Sequence, residues 1–421
     1  MHSGKRKLWL AVAFAAIAGA MLVPAASADR DDDDDGRHRA TVRFSTFNAS
    51  LNRNNAGQLI TDLSTSANAQ AATVAEIIQR IRPDVLLINE FDFDPMGTAL
   101  GLFQTNYLSV GQNGAQPIAY PYRFTAPSNT GIPSGHDLNN NGSIGGPDDA
   151  FGFGFFPGQF GMAVYSMHPI KSGDIRTFQL FRWKDMPGAL LPDDPATPAP
   201  RDWYSPAELE VFRLSSKSHW DLPISIGGKI VHFLVSHPTP PVFDGPEDRN
   251  GRRNFDEIRF WADYVMPNRS GYLYDDAGRP GGLAPGEKFV IAGDLNSDPV
   301  DGDSHPGAAD LVLGHPLIDS RFAPESPGAV QQAQLQGGAN AAHRGDPRFD
   351  TADFADNTPG NLRADYVLPS RGLQVLDGAV FWPLNTDPLF GLVGLFPFPS
   401  SDHRLVWVDL RVPGQTAIVT R

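Results

Sequence analysis

The stretch that decides the fold is Val85-Leu86-Leu87-Ile88-Asn89-Glu90, in which four apolar residues precede two polar ones. A continuous apolar run predicts a strand that is buried on both faces. Upstream, apolar residues spaced three and four apart predict one face of a helix over residues 74–81, and Pro83 would end it. Residues 42–47 have the composition of a strand, with Asn48 at its end. The sequence therefore predicts a β–α–β unit with polar side chains at both strand ends.

More strands than helices are predicted along the rest of the chain. They are expected at residues 162–165, 229–235, 289–292, 366–368 and 405–410. A second helix is predicted near Asn254–Val265, and its apolar residues should face inward. Because several strands follow one another without a helix between them, a mixed α/β sandwich is favoured over a doubly wound parallel sheet.

Four connections are long and rich in Gly, Pro, Asn and Asp. They cover residues 125–149, 184–206, 268–286 and 323–360. Such segments predict surface insertions on one domain. Because the sequence has no clean linker between residues 41 and 412, we expect this range to form a single domain.

Composition excludes several classes of function. Apolar residues make up 41% of the 421 residues, which is enough for a buried core and excludes disorder of the whole chain. The absence of cysteine excludes disulfides, thiolate zinc sites and a cysteine nucleophile. With a net charge of −14, the chain lacks the excess of basic residues that is typical of tight nucleic-acid binders. No stable nucleic-acid complex is therefore expected. A transient nucleic-acid substrate stays open, because a metal ion can reverse the local field. We expect a monomer.

The two ends of the chain are predicted to lie outside the folded domain. Residues 1–28 predict a signal peptide, with a basic start, an apolar run over residues 8–23 and a small-residue cleavage site at Ala28. The apolar run is shorter than the ~20 residues that span a bilayer, although an uncleaved anchor is the alternative. The protein is therefore expected to be secreted or periplasmic, with no transmembrane segment after cleavage. Residues 29–40 predict an acidic disordered linker, and residues 413–421 a C-terminal tail.

Unusual polar residues fall at the ends of the predicted strands. They are Asn48, Glu90, His237, Asp294, Asn296, Asp365, Asp402 and His403. Taken singly, an Asp or Asn after a strand is more often a turn former, and a lone His is more often structural. Glu90 is harder to explain in this way, because burying a carboxylate is costly unless it is paired or bound to a metal. Strands that deliver such groups to one rim of a sheet build the sites of many α/β folds.

The chemistry of this set predicts hydrolysis of a phosphate ester. Hard oxygen ligands without cysteine suit Mg²⁺, Mn²⁺ or Ca²⁺ better than zinc. A His beside an acid can activate water, and amide side chains can bind phosphate oxygens without adding charge. Together these groups favour metal-assisted attack of water on phosphorus.

Seven short motifs occur in order along the chain. They are Phe47-Asn48, Ile88-Asn89-Glu90, Gly161-Met162-Ala163-Val164-Tyr165-Ser166, Ser236-His237, Gly293-Asp294-Leu295-Asn296, Arg363-Ala364-Asp365-Tyr366 and Ser401-Asp402-His403. In this order the chain resembles the endonuclease/exonuclease/phosphatase family over about residues 45–410. That family includes pancreatic-type deoxyribonucleases, abasic-site endonucleases, inositol-polyphosphate phosphatases and bacterial sphingomyelinases. The resemblance implies a four-layer α/β sandwich, with two mixed β-sheets face to face and helices outside.

The resemblance also implies a metal centre. Glu90 would be the main ligand of a Mg²⁺ or Mn²⁺ ion, with Asn48 and Asp402 close to the ion or its waters. The sequence departs from the family pattern at Asn89, where a Gln is common, and at Pro238, where an apolar residue is usual. Neither departure removes a reacting group.

The remaining residues would carry the catalytic roles that the resemblance implies. Asp294 and Asn296 would position the water or the phosphate. His403, oriented by Asp365, would act as a general base or as a phosphate ligand. His237 would stabilise or protonate the leaving side.

A second metal site is predicted in an insertion. Asp137-Leu138-Asn139-Asn140-Asn141-Gly142 matches the start of a calcium loop. Asp148 stands where a Glu is usual and no flanking helix is evident, so an EF-hand is not expected. Either the Asp137–Asn141 loop binds Ca²⁺, or it is an Asn- and Gly-rich turn without an ion.

The sequence leaves the substrate open. An exported phosphoesterase acting on a mono- or diester is favoured over a non-catalytic binding module on the same fold. Within the enzyme class, a nuclease and a sphingomyelinase-like phosphodiesterase are alternatives. A nuclease normally carries a basic groove, but the cluster of Arg249, Arg252 and Arg253 is expected to be a solvated helix face. The apolar stretch 390–398 would supply membrane contacts or pack on the core.

Overall fold

Two mixed β-sheets packed face to face form the centre of the fold, which a computed structural model describes for residues 40–412. The predicted signal peptide, almost all of the acidic linker and the C-terminal tail lie outside these residues. The strands are β1 (Ala40–Leu51), β2 (Val85–Phe91), β3 (Tyr122–Phe124), β4 (Met162–Ser166), β5 (Arg176–Thr177), β6 (His219–Ile226), β7 (Lys229–Ser236), β8 (Lys288–Asp294), β9 (Ala352–Asp353), β10 (Asn361–Leu362), β11 (Asp365–Pro369), β12 (Gln374–Val380) and β13 (Val406–Val412).

Strand directions bring the polar strand ends to one rim. The first sheet has the order β12-β13-β1-β2-β4-β3, and the second has the order β11-β8-β7-β6-β5. In the first sheet, β1 runs parallel to β2 and antiparallel to β13. In the second sheet, β8 runs parallel to β7 and antiparallel to β11. The carboxyl ends of β1, β2, β7 and β8 therefore share an edge with the amino ends of β11 and β13. All the strand ends at which the sequence analysis found unusual polar residues lie at this edge.

Helices cover the outer face of each sheet. They are α1 (Gln58–Leu63), α2 (Ala69–Ile81), α3 (Thr98–Phe103), α4 (Pro206–Val211), α5 (Arg249–Tyr264), α6 (Asp310–Leu313) and α7 (Pro327–Gln336). On one side, Val74 and Ile78 of α2 pack with Ile88 of β2. On the other, Trp261 of α5 packs with Ile291 of β8. These contacts give a helix layer on either side of the sandwich.

The layer between the sheets is apolar. Phe44, Val85, Phe233 and Val290 are fully buried there, and the rings of Phe44 and Phe233 lie 5.6 Å apart between centroids. The strand predicted from the run at Val85 is thus buried on both faces, one against the other sheet and one against α2. The four-layer α/β sandwich is confirmed.

Some local predictions were wrong. α5 begins at Arg249 rather than near Asn254. Arg253 is not on a solvated face but is 6% exposed, because its guanidinium donates hydrogen bonds to the carbonyls of Leu214 and Phe151. The segment 323–360 is not wholly a surface insertion either, since it contains α7 and buried residues around Thr351. Within residues 40–412, no helix is long and apolar enough to cross a bilayer.

Candidate active site

An irregularity in the pairing of β1 and β2 turns Glu90 toward the rim. Asn48 pairs with Asn89, but the next Cα pair is Leu51 with Phe91, so two residues of β1 lie opposite Glu90. Glu90 has a φ of 59° and Ser50 one of 48°, a left-handed conformation that is uncommon outside glycine. Such a bulge redirects side chains and is frequent beside active sites. It allows the Glu90 carboxylate to face the polar cluster instead of following Ile88 toward the helices.

Asn48 joins the two sheets at the site. Its Nδ2 donates hydrogen bonds to Oε1 of Glu90 at 3.1 Å and to Oδ2 of Asp294 at 3.0 Å. Nδ2 of Asn52 donates to the other oxygen of Glu90 at 2.7 Å. A buried amide between two carboxylates holds them at a fixed separation without adding a charge. Asn52 has no pattern in the sequence that would have indicated it.

The turn before β13 brings Asp402 and His403 to the same place. Oγ of Ser401 donates to the backbone oxygen of Asn48 at 2.7 Å, which ties this turn to the end of β1. Oγ of Ser50 lies 3.4 Å from Oδ1 of Asp402. The carboxylates of Glu90 and Asp402 are close enough that Asp402, after burial, raises the pKa of Glu90. Residues far apart in the chain thus meet at one point.

His403 lies between two carboxylates. Its Nδ1 is 2.8 Å from Oδ2 of Asp365, and its Nε2 is 3.6 Å from Oδ2 of Asp294. Oγ1 of Thr351 donates to Oδ2 of Asp365 at 2.8 Å and accepts the backbone N–H of the same residue. Thr351 therefore fixes the carboxylate that orients the imidazole. The sequence did not indicate Thr351, because it lies in a segment without periodicity.

The two carboxylates beside His403 keep its imidazole protonated. Burial alone would lower the pKa of His403, but the carboxylates of Asp365 and Asp294 raise it well above its ordinary value. Burial raises the pKa of Asp365 to about 6, against the opposing effect of His403. Asp294 is buried too, yet His403, His237 and Asn48 keep its pKa below the usual range. At neutral pH, His403 is therefore a cation beside an ionised Asp294.

His237 has the opposite character. Its Nε2 lies 3.4 Å from Oδ2 of Asp294, and its Nδ1 has no hydrogen-bond partner among residues 40–412. Burial, followed by the charge of Lys217, lowers the pKa of His237 to about 4. His237 is therefore neutral at pH 7, with a free ring nitrogen in the site. Asn296, with a φ of 50°, donates its backbone N–H to Oδ1 of Asp294 at 2.9 Å.

Lys217 is a site residue that the sequence analysis missed. It precedes β6, is 5% exposed, and its Nζ lies 3.5 Å from the backbone oxygen of Pro238. Burial lowers its pKa, while Glu257, Glu90 and Asp294 oppose that effect. The only local signal is a lone lysine among serines, which is not specific. The lysine side chain beside the carboxylates offers N–H donors to an anionic substrate.

Comparison with known protein families identifies the family of this chain. A family model described as Endonuclease/Exonuclease/phosphatase family matches residues 45–403. The chain belongs to the endonuclease/exonuclease/phosphatase family. Members of this family are hydrolases of phosphate esters, so the predicted enzyme class is confirmed. A search of curated proteins finds no match.

The solved structures that the chain matches are distant from it in sequence. An endonuclease/exonuclease/phosphatase from Beutenbergia cavernae is 16% identical, with a TM-score of 0.46, over 91% of this chain and 74% of that one. Truncated TDP2 from Caenorhabditis elegans is 15% identical, with a TM-score of 0.42, over 88% and 98% of the two chains. Sphingomyelinase C from Streptomyces griseocarneus is 15% identical, with a TM-score of 0.42, over 88% and 99%.

The donor set suits the divalent cation on which enzymes of the endonuclease/exonuclease/phosphatase family typically depend. Asp294, Asp365 and His403 each place one ligand atom within 4.8 Å of the others and could hold an ion. Both nitrogens of His403 already face carboxylates, however, so this cluster is balanced by the imidazolium. Glu90 and Asp402 differ from this cluster. Their two carboxylates lie close together at a partly open position and require a cation to balance their charge. Hard oxygen donors that retain access to water are the environment that Mg²⁺ or Mn²⁺ prefers.

The predicted calcium loop is ordered by its own backbone. Asp137 accepts the N–H groups of Asn141 and Gly142, and buried Asp149 accepts those of Leu138 and Gly145. These contacts are those of an Asx-rich turn. Calcium binding at Asp137–Asn141 stays a prediction.

Proposed function

We propose that the protein is an exported, divalent-metal-dependent phosphoesterase that hydrolyses a phosphate mono- or diester by direct attack of water. The observation that carries this proposal is the link from Glu90 through Asn48 to Asp294, with His403 beyond it. Glu90, which would hold the ion, and His403, which would bind phosphate, are thereby linked through one oxygen of Asp294, Oδ2.

Glu90 and Asp402, with the Asn48 side chain, would hold the ion, which when bound neutralises charge on the phosphate oxygens. Imidazolium His403 and Lys217 bind non-bridging phosphate oxygens, because both present N–H donors with positive charge. The raised pKa of His403 favours this role over that of general base.

Asp294 and Asn296 orient the attacking water. The water oxygen forms a bond to phosphorus, the ester P–O bond breaks, and the proton lost by water passes by way of Asp294 to solvent. The departing alcohol oxygen takes up a proton from solvent on the side of His237. A monoester then gives an alcohol and phosphate, and a diester gives an alcohol and a phosphate monoester. These roles are inferred from two contacts with Asp294, one from the backbone N–H of Asn296 and one from the imidazole of His237.

The test is turnover by Glu90→Gln against Glu325→Gln, an exposed carboxylate as control. Purified mature protein would be given plasmid DNA, sphingomyelin, inositol phosphates and a nitrophenyl phosphodiester, with Mg²⁺, Mn²⁺, Ca²⁺ or chelator. We expect turnover of at least one substrate to require an ion and to fall about 10³-fold in Glu90→Gln. The melting temperature of that variant should stay close to the wild type. Turnover that survives chelation on every substrate would contradict the proposal.

A lipid phosphodiesterase is a second candidate, because a loop next to the site exposes apolar side chains. Leu395 and Phe396 are 55% and 85% exposed, whereas Val393 in the same stretch is buried. Large exposed apolar side chains beside a site are typical of membrane contact. Phe396→Ser should then lower binding to phosphatidylcholine–sphingomyelin vesicles and leave turnover of a soluble diester unchanged. Equal vesicle binding by wild type and variant would eliminate this candidate.

Export is proposed from residues 1–28 and is tested by N-terminal sequencing. Protein recovered from the periplasm or medium of the expressing cells should begin at Asp29. Retention of Met1 on membrane-associated protein would instead indicate an uncleaved anchor.

Size-exclusion chromatography of the mature chain should give the mass of one copy.

A further inference from the structure

A cavity of about 470 Å³ opens beside the catalytic centre, and the chemistry proposed above does not use it. Its lining is mainly aromatic and aliphatic, with Phe153, Phe160, Tyr204, Phe212, Val242 and Phe243 among the residues that face it. Cavities of this size accept small organic ligands. Two of the long insertions contribute to the wall, so the cavity gives these segments a function beyond covering the sandwich.

The cavity and the catalytic centre share a wall. Lys217 and Thr239 line the cavity, and Thr239 is two residues from His237. The backbone oxygen of Pro238, between them, accepts from Nζ of Lys217 at 3.5 Å and from Nδ2 of Asn296 at 3.2 Å. A phosphate bound by Lys217 would therefore have its organic group directed toward the cavity.

The shared wall is held in place by buried contacts. The two carboxylate oxygens of Glu257 accept the backbone N–H groups of Ser216 and Thr239, each at 2.6 Å. Just after the insertion 125–149, a Cβ added to Gly152 would lie 2.0 Å from the backbone oxygen of Ser216, so these two segments are in close backbone contact. A wall that is fixed before a ligand arrives costs little ordering entropy on binding.

The charges that line the cavity select among organic groups. Lys217, Arg249 and Arg253 face it together with Asp148, and Glu247 behind the lining is paired with Arg249. Arg253 also stacks over the ring of Phe212, with its guanidinium carbon 4.7 Å from the centroid. A quaternary ammonium group would meet these cations and be repelled. A neutral or anionic ring system would instead bury apolar surface against the aromatic side chains.

We propose that this cavity binds an aromatic ring system, such as an aryl or nucleobase group, in the organic part of the phosphate ester. The inference rests on the phosphoesterase function proposed above for the orientation of the ligand. Recognition of the ring itself rests on the cavity alone.

The experiment compares two non-hydrolysable ligands, phenylphosphonate and methylphosphonate, by calorimetry on the mature protein with Mg²⁺. Val242→Trp fills the cavity, and Leu335→Trp places the same side chain on an exposed helix position as a control. We expect phenylphosphonate to bind the wild type about tenfold or more tightly than methylphosphonate, because the ring buries apolar surface. Val242→Trp should remove that preference and leave methylphosphonate binding within about twofold, and Leu335→Trp should change neither.

A second variant covers the case in which Val242→Trp does not fold. Phe153→Ala shortens a half-exposed side chain of the lining and should reduce phenylphosphonate affinity about threefold, without effect on methylphosphonate. Equal affinity for the two phosphonates, no measurable binding of either, or a preference that folded variants leave intact would overturn the proposal. Tighter binding of phosphocholine than of phenylphosphonate would overturn the assigned ligand class.

The two proposals fail in different ways. A ring preference that Val242→Trp removes, in a protein that hydrolyses no ester, supports the cavity assignment and rejects the phosphoesterase function. Ester hydrolysis without a ring preference does the reverse.

Discussion

Replacing Asp350 with Asn should stabilise the protein at alkaline pH. Asp350 is 8% exposed and lies near the carboxylates of Asp298, Asp301 and Asp346. Burial, then these three charges, raise the pKa of Asp350 from 3.8 to about 8. Between these two values the folded protein retains a proton that the unfolded chain has released. Stability therefore falls as the pH rises from about 4 to about 8, and the loss then stays constant.

The size of the effect follows from the pKa difference. One pKa unit is about 1.4 kcal/mol, so the full penalty is on the order of 5 kcal/mol, and local entry of water should reduce it by about half. Asn cannot ionise and avoids the penalty. We expect the free energy of unfolding of Asp350→Asn, relative to wild type, to rise by about 2–3 kcal/mol between pH 5 and pH 9.

Urea unfolding followed by tryptophan fluorescence at pH 5, 7 and 9 measures this difference. Asp303→Asn, at an exposed position in a nearby loop, is the matched control and should show no trend with pH. If the difference between Asp350→Asn and wild type is the same at pH 5 and pH 9, the carboxylate is ionised in the folded protein and the reasoning is refuted.

Three further variants test other contacts. Asp365→Asn should lower kcat about 10²- to 10⁴-fold while the near-UV circular dichroism is kept, because His403 loses its orienting carboxylate; wild-type kcat would show that this contact has no catalytic role. Arg404→Met should cost about 3–5 kcal/mol in urea unfolding, since it leaves Asp353, now 2.9 Å from Arg404, buried without its charged partner and with only the Gln336 amide as a side-chain donor. Adding Asp353→Asn should restore part of that loss, and a double variant no more stable than Arg404→Met would contradict the pairing. Gly152→Ala should lower stability by about 1–3 kcal/mol, because the new methyl group meets the backbone oxygen of Ser216; an unchanged melting temperature would mean that the segment at Gly152 packs less closely.

The sandwich could be predicted because its strands carry strong local patterns. The apolar runs at Val85 and Phe289 and the helix face at Val74 follow directly from burial on two faces or on one. β6 was missed because His219, Asp221 and Pro223 interrupt its alternation, although all three positions are buried in the folded chain. Tertiary packing, not local preference, decides such a strand.

The site was only partly predictable for a similar reason. The structure brings together Asn48, Glu90 and Asp294, as their positions at strand ends suggested. Lys217 and Thr351 lie at the site as well, but each comes from a connection without periodicity. The residues they contact lie 21 and 14 positions away in the chain, with no periodic pattern between, so no local sequence signal marks the contact that gives them a role.

The amide bridge made by Asn48 between the two sheets has a consequence for dissection of the chain. A break in the exposed stretch near residue 196 would leave Asn48 and Glu90 on one fragment, and Asp294 and His403 on the other. Neither piece would contain a complete set of reacting groups. Catalytic output would then report reassembly of the two halves, which makes this scaffold suited to a split-enzyme complementation sensor.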